Sequence, residues 1–147
     1  MKRYGAMALL VLLVVAFLCG CTQKEAYLSQ EGDKQGSRLL QAVEGVISEP
    51  MQAAGRLSEV LKCESALEKL TLEGDKELLT LCRSAKRVME EIVKEARAKE
   101  MMTVGLILGE EADNLPADPE QGPNPVLIED LKSIRDKIKA VLQKQYQ

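Results

Sequence analysis

Apolar residues recur every three or four positions along much of the chain, the spacing that places them on one buried face of an α-helix. The first of these stripes comprises Leu39, Val43, Val46, Pro50, Ala54, Leu57 and Leu61. Because Pro50 has no backbone N–H, it either kinks one continuous helix or begins a new one after Ser48 and Glu49. The stripe keeps its spacing across Pro50. We therefore favour the kink and predict one long helix over residues 38–72.

Two further stripes predict two further helices. One helix runs over residues 76–108, where the regularly spaced residues are Leu78, Cys82, Ala85, Met89, Ile92 and Ala96. The other runs over residues 125–145, with the stripe Leu127, Leu131, Ile134, Ile138 and Val141. Gly74 and Asp75 are residue types that close one helix and cap the next, and Asn124-Pro125 is a pair that begins a helix. The turn between the first two helices is therefore predicted near Gly74.

Two segments of the chain have no helical periodicity. Residues 21–36 are mostly polar and contain two glycines, so we predict a flexible tether there, with a frayed first helical turn as the alternative. Residues 109–124 hold three of the five prolines and are predicted to form a loop. The sequence thus predicts an all-α domain over residues 37–147, built as a small bundle of three long helices, with a first helix broken at Pro50 as the alternative.

The start of the chain has the pattern of an export signal. Lys2 and Arg3 precede an apolar run from Ala6 to Phe17, and small residues follow, as in a secretory signal peptide. The run is shorter than the roughly 20 apolar residues that span a membrane, which disfavours the alternative of an uncleaved N-terminal anchor. We predict that residues 1–20 are a signal peptide.

The end of this signal, Leu18-Cys19-Gly20-Cys21, resembles the lipobox of bacterial lipoproteins, although Ala or Ser is commoner where Cys19 stands. The resemblance implies that Cys21 carries a diacylglycerol with acyl chains such as palmitate, and that cleavage makes it the first residue. Two acyl chains hold a protein firmly at a bilayer. The resemblance also implies the outer membrane, facing the periplasm, for a Gram-negative source, because Thr22 rather than Asp follows the cysteine.

The charge and the aromatic content of the chain exclude some classes of binding partner. The net charge of −3 becomes −5 when Lys2 and Arg3 leave with the signal, which disfavours nucleic acid as a partner. The chain has no tryptophan, and Tyr27 and Tyr146 are the aromatic residues left after cleavage. Stacking platforms for bases or sugars are therefore missing, and the predicted core is aliphatic.

Two cysteines, Cys63 and Cys82, remain in the predicted mature domain. In a helical hairpin that turns near Gly74 they lie at the same height, with Cα atoms roughly 3.4–5.4 Å apart, which overlaps the range of a disulfide. An exported chain favours oxidation, so we predict a Cys63–Cys82 disulfide. A redox-active or metal-binding pair is disfavoured by the lack of a C-x-x-C motif and of histidine, and two buried free thiols are the remaining alternative.

No catalytic constellation is recognisable in the sequence. With no histidine and no glycine-rich phosphate loop, we predict no enzyme, no cofactor and no metal, and we interpret Glu110, Glu111 and Asp113 as a solvated acidic turn. The predicted function is a lipid-anchored envelope module that binds another envelope protein or serves a structural role. The alternatives are a carrier of a small apolar ligand near residues 101–108, and an exclusion or immunity lipoprotein. No ligand-binding residue is assigned.

Overall fold

The computed structural model describes residues 26–107 and 122–145, and within these ranges the chain is helical with no strand. Four helices form: α1 Gln30–Ser48, α2 Ala53–Leu67, α3 Glu73–Ile107 and α4 Pro125–Lys144. A short 3-10 helix, Pro50–Gln52, joins α1 to α2. The all-α prediction is confirmed. The favoured bundle of three helices is wrong, because the first predicted helix breaks at Pro50 into two helices, which is the alternative that the sequence left open.

The error lies at Pro50, where the chain reverses direction instead of kinking. Glu49 leaves the helical region, with φ −135° and ψ 81°, and Pro50 is the first residue of the 3-10 helix. A residue before proline is disfavoured in the α conformation, which explains why α1 ends here. The part of the predicted stripe beyond Pro50 is also wrong, because Ala54 and Leu61 are exposed. The buried face of α2 is instead formed by Ala53, Val60, Cys63 and Leu67.

The four helices form an up-down-up-down bundle in which each helix is antiparallel to the next. α1 contacts α2, α4 and, across the bundle, α3, while the described parts of α2 and α4 do not touch. The core is aliphatic, as predicted, and its largest fully buried side chains are Leu28, Leu39, Leu67, Leu78, Met89, Ile92, Leu131, Ile138, Val43, Val46, Val60 and Val141.

The predicted tether is wrong for residues 30–36, which form the first two turns of α1. The Ser29 hydroxyl caps this helix by accepting a hydrogen bond from the Gly32 backbone N–H at 2.8 Å. Gly36 is buried where helices approach closely, since an added Cβ would lie 2.8 Å from Cδ2 of Leu142 and 2.9 Å from Cδ1 of Leu78. Close packing, rather than flexibility, explains this glycine.

The start of α4 agrees with its prediction. The Asn124 side chain accepts a hydrogen bond from the Val126 backbone N–H at 3.0 Å, and Pro125 occupies the first turn. The predicted signal peptide, Cys21 and most of the predicted loop 109–124 lie outside the described residues.

Helix lengths give the bundle two different ends. α3 has 35 residues and is about 52 Å long, whereas α1 has 19 and is about 28 Å long. We call the end that holds residues 26–29, the start of α3 and the end of α4 the near end. The far end holds the 3-10 helix, residues 122–124 and α3 from Glu95 onwards. Among the described helices, none is both long and apolar enough to cross a membrane.

Candidate functional site

The segment Tyr27–Ser29 is fastened to the near end by its backbone and by one core side chain. Leu28 is 1% exposed, and the Tyr27 carbonyl accepts a hydrogen bond from the Gly74 N–H at 2.9 Å. A Cβ at Gly74 would lie 2.6 Å from that carbonyl oxygen, so glycine allows the close approach. We call Tyr27, Leu28 and Ser29, with Gly74 and Asp75, the N-terminal clasp.

Asp75 is the buried polar centre of this clasp. Its Oδ1 accepts hydrogen bonds from the Ser29 N–H at 3.2 Å and the Ser29 hydroxyl at 3.1 Å. The carboxylate lies at the amino ends of both α1 and α3, where helix dipoles favour negative charge. Its Oδ2 is buried with no hydrogen-bond partner in the described chain. A Cβ at Gly32 would lie 1.7 Å from Oδ1, so any larger residue here would displace the Asp75 side chain.

These positions correct the predicted turn. The chain turns over residues 68–72, and Gly74 and Asp75 lie inside the first turn of α3 instead of between two helices. The single signal for the clasp in the sequence is that Tyr27 and Leu28 are the two large apolar residues in an otherwise polar segment.

A surface cluster of Tyr27, Glu77 and Lys144 joins the clasp to α3 and α4. The Tyr27 hydroxyl donates to Glu77, and Nζ of Lys144 lies 3.3 Å from both the Tyr27 hydroxyl and Oε2 of Glu77. The same ammonium group is 5.1 Å from the centroid of the Tyr27 ring. The Tyr27 hydrogen bond, followed by Lys144, lowers the pKa of Glu77, while the Glu77 carboxylate raises the pKa of Tyr27.

The predicted disulfide is not present in the structure, in which Cys63 and Cys82 are buried free thiols. The Cys82 Sγ donates to the Val60 carbonyl at 3.5 Å, so it is directed at the α2 backbone one turn before Cys63. Burial raises the pKa of Cys63, and burial followed by the neighbouring Cys63 raises the pKa of Cys82 to about 12. Burial therefore disfavours the reactive thiolate form of both cysteines in the folded chain.

Glu64 ties α2 to α3 by pairing with two cations. Its Oε2 is 2.7 Å from Lys86 Nζ, and its Oε1 is 3.2 Å from Arg83 Nε. The hydrogen bond from Lys86, followed by that from Arg83, lowers the pKa of Glu64. Sequence spacing alone suggests that Lys86 pairs with Glu90 on a solvated helix face. The structure pairs Lys86 instead with a carboxylate on the neighbouring helix.

The far end has a pocket of about 370 Å³ between the 3-10 helix and α3. Its apolar lining comes from Pro50, Met51, Ile92, Ala96 and Pro123, and its polar lining from Glu95, Lys99, Glu100, Thr103 and Gly122. Ile92 is 1% exposed and forms the floor, while Met51 at the edge is 78% exposed. Nearby on α3, Met101 and Val104 also face solvent. The sequence marks the Met101 region as apolar but identifies no residue of this pocket as a binding residue.

Groups that hold metals do not assemble in residues 26–107 and 122–145, where no three His, Cys, Asp or Glu side chains converge. Glu110, Glu111 and Asp113 lie outside those ranges. Comparison with known protein families, characterised proteins and solved structures finds no match for this chain.

Proposed function

We propose that the chain is a non-enzymatic, lipid-anchored helical module of the cell envelope. In this proposal Cys21 holds it at a membrane, and the far end of the bundle meets another envelope protein or acts as a spacer. The observation that carries the proposal is the N-terminal clasp, which fastens the chain to the near end from Tyr27 onwards.

The clasp supports this arrangement by limiting the distance between the bundle and the proposed anchor. Four residues lie between Cys21 and Ala26, and the five Cα–Cα steps reach about 17 Å at full extension. From Asp75 to Met101, α3 spans about 39 Å along its axis. An anchored bundle would therefore hold its near end close to the bilayer, and in an upright orientation its exposed Met51, Met101 and Val104 would lie several nanometres away.

The anchor is tested by mass spectrometry of the protein isolated from cell membranes. We expect a mature chain that begins at Cys21 and carries acyl chains. Cys21→Ser should abolish the lipid and release the protein from membranes, whereas the matched change Cys19→Ser should leave both intact, because Cys19 departs with the signal. An unacylated start in the natural protein would refute the proposal. In a Gram-negative source, separation of the two membranes tests the proposed outer-membrane address.

The partner is tested by photo-crosslinking in intact cells. A crosslinker at position 101, on the far end, should capture a defined envelope protein. The same group at position 61, an exposed site along α2, is the matched control and should capture much less. Capture of solvent and lipid alone from both positions would support the spacer form of the proposal and contradict the partner form.

We also propose that Cys63 and Cys82 become joined after export. Their shared position between α2 and α3 and an oxidising compartment support this proposal. The two thiols would lose two protons and two electrons to an external disulfide oxidant by exchange. Because burial makes Cys82 a poor nucleophile, exchange should precede final packing. Unfolded, unreduced protein should then contain no reactive thiol, and two reactive thiols would contradict the bond.

A second candidate function is a carrier of a small apolar ligand. The far-end pocket favours it, although the pocket lies at the end of the bundle instead of inside the core between helices. The exclusion or immunity alternative depends on size and address alone, and no feature of the described residues favours it.

A further inference from the structure

We propose that the far-end pocket binds a small uncharged molecule with an aliphatic chain. This inference deepens the carrier candidate and does not depend on lipidation of Cys21. It assigns Pro50, Met51, Ile92 and Ala96 as the residues that contact the chain of the ligand.

The size and shape of the pocket support a small ligand. Binding sites for small molecules are concave and have volumes of about 300–1,000 Å³, and the far-end pocket has about 370 Å³. The floor is formed by Ile92, a core residue, so the pocket reaches down to the aliphatic core of the bundle. A ligand there would extend that core outwards, and burial of its apolar surface would drive binding.

Several polar groups around the pocket already bond to other parts of the protein. The Asn124 backbone N–H donates to Oε2 of Glu95 at 3.1 Å, and Nζ of Lys99 donates to the Gly122 carbonyl at 2.9 Å. These bonds hold the segment before α4 against α3. A ligand that required those groups would have to displace bonds within the protein, so an apolar ligand fits better.

The net charge of the pocket lining favours the binding of uncharged ligands over fatty acids and phosphates. Glu95 and Glu100 line the pocket with Lys99, which leaves one negative charge in excess. A carboxylate or phosphate would be repelled, and an isolated buried charge is costly without a partner. The pocket therefore favours an alcohol or hydrocarbon over an anion of the same length. Met51, with its flexible side chain at the edge, is suited to adjust to chains of different shape.

The natural absence of tryptophan allows a direct test. In the full chain as isolated from cells, Met51→Trp places one fluorophore at the edge of the pocket, and Leu61→Trp is the matched reporter on the side of α2. Dibrominated decanol should quench the pocket reporter saturably, and should quench the α2 reporter weakly and without saturation. Ala96→Phe, which fills the pocket, should raise the apparent Kd measured with the pocket reporter at least tenfold.

A charge variant keeps the test informative if Ala96→Phe unfolds the protein. Brominated decanoate should bind several-fold more weakly than brominated decanol, and Glu100→Lys should remove or reverse that preference. Equal quenching of the two reporters, or binding that neither variant alters, would overturn the inference and leave the far end as a surface for a protein.

The source of the aliphatic chain is distinguished by a second probe. Liposomes of phospholipid with brominated acyl chains should leave the pocket reporter unquenched, because the inferred ligand is a free molecule. Quenching by these liposomes would contradict the free ligand and assign the pocket to membrane lipid. A protein without an acyl group on Cys21 would still give the decanol result, so failure of the anchor and failure of the pocket are separate outcomes.

Discussion

The two ends of the bundle are built differently. At the near end, Leu28 fills the core and Ser29 bonds to a buried carboxylate on another helix. At the far end, the 3-10 helix leaves a pocket open above Ile92, and α3 carries the solvent-facing Met101 and Val104. Apolar side chains stabilise a fold when they are removed from water. Among the described residues, the far end therefore keeps apolar side chains at the surface, whereas the near end buries them.

This contrast suggests that the two ends of α3 have different roles. Backbone and buried polar bonds at the near end hold the incoming chain in one position, which suits attachment. The far end offers apolar side chains with few directional bonds, which suits recognition of an apolar partner or ligand. If the roles differ in this way, substitutions at the near end should change stability, and substitutions at the far end should change binding.

The largest expected effect is that of Leu28→Ala at the near end. Removal of a fully buried leucine side chain leaves a cavity and should lower the free energy of unfolding by about 3 kcal/mol. The measurement is urea unfolding of the full chain followed by helical circular dichroism. Met51→Ala at the far end is the matched control and should change the free energy by less than about 0.5 kcal/mol. Equal losses from the two variants would contradict the contrast.

Two glycines give the next largest effect, with opposite signs. Gly32→Ala should destabilise the protein by about 2 kcal/mol or more, because the new Cβ would clash with Oδ1 of Asp75. Gly55→Ala adds a methyl group to open space on α2 and should stabilise it by up to about 1 kcal/mol. The same unfolding measurement applies. If both variants changed stability in the same direction, the close packing of the clasp would be refuted.

The helical part of this fold was predictable because its signals are local. The apolar stripes of α3 and α4 and the Asn124-Pro125 start depend on residues close in sequence, and the structure confirms them. The stripe gave the wrong result at Pro50, because its continuation through Ala54 and Leu61 lies on the exposed face of α2. The non-helical conformation of Glu49, directly before Pro50, is what separates α1 from α2.

The clasp and the pocket were not predictable because they join residues far apart in sequence. Aspartate is a residue type that ordinarily caps a helix, so the sequence gives no sign that Asp75 contacts Ser29, 46 residues away. The residue type of Gly32 suggests flexibility, although its role is to make room for that carboxylate. The pocket depends on Pro50 and Pro123 meeting on α3, which required the correct number of helices.

The smallest expected effect is a pH dependence at the surface of the near end. The pKa of Glu77 is lowered in the folded chain by Tyr27 and then Lys144, so its ionised form stabilises the fold. That contribution is present in full above the ordinary value of about 4.5 and is lost as the pH falls through the lowered folded value. Because the Lys144–Glu77 pair is half-exposed, we expect Glu77→Gln to destabilise by about 1 kcal/mol or less at pH 7. Unfolding from pH 7 to pH 3 should show this difference in stability shrinking towards zero.

A double variant tests the bond between the two side chains. Glu77→Gln combined with Tyr27→Phe should lower the free energy of unfolding by less than the sum of the single changes, because the two side chains share one bond. Two results would contradict this role of the cluster: a stability difference that stays constant down to pH 3, or effects of the two substitutions that are strictly additive. Leu28 and Asp75 would then stabilise the near end without a contribution from Tyr27, Glu77 and Lys144.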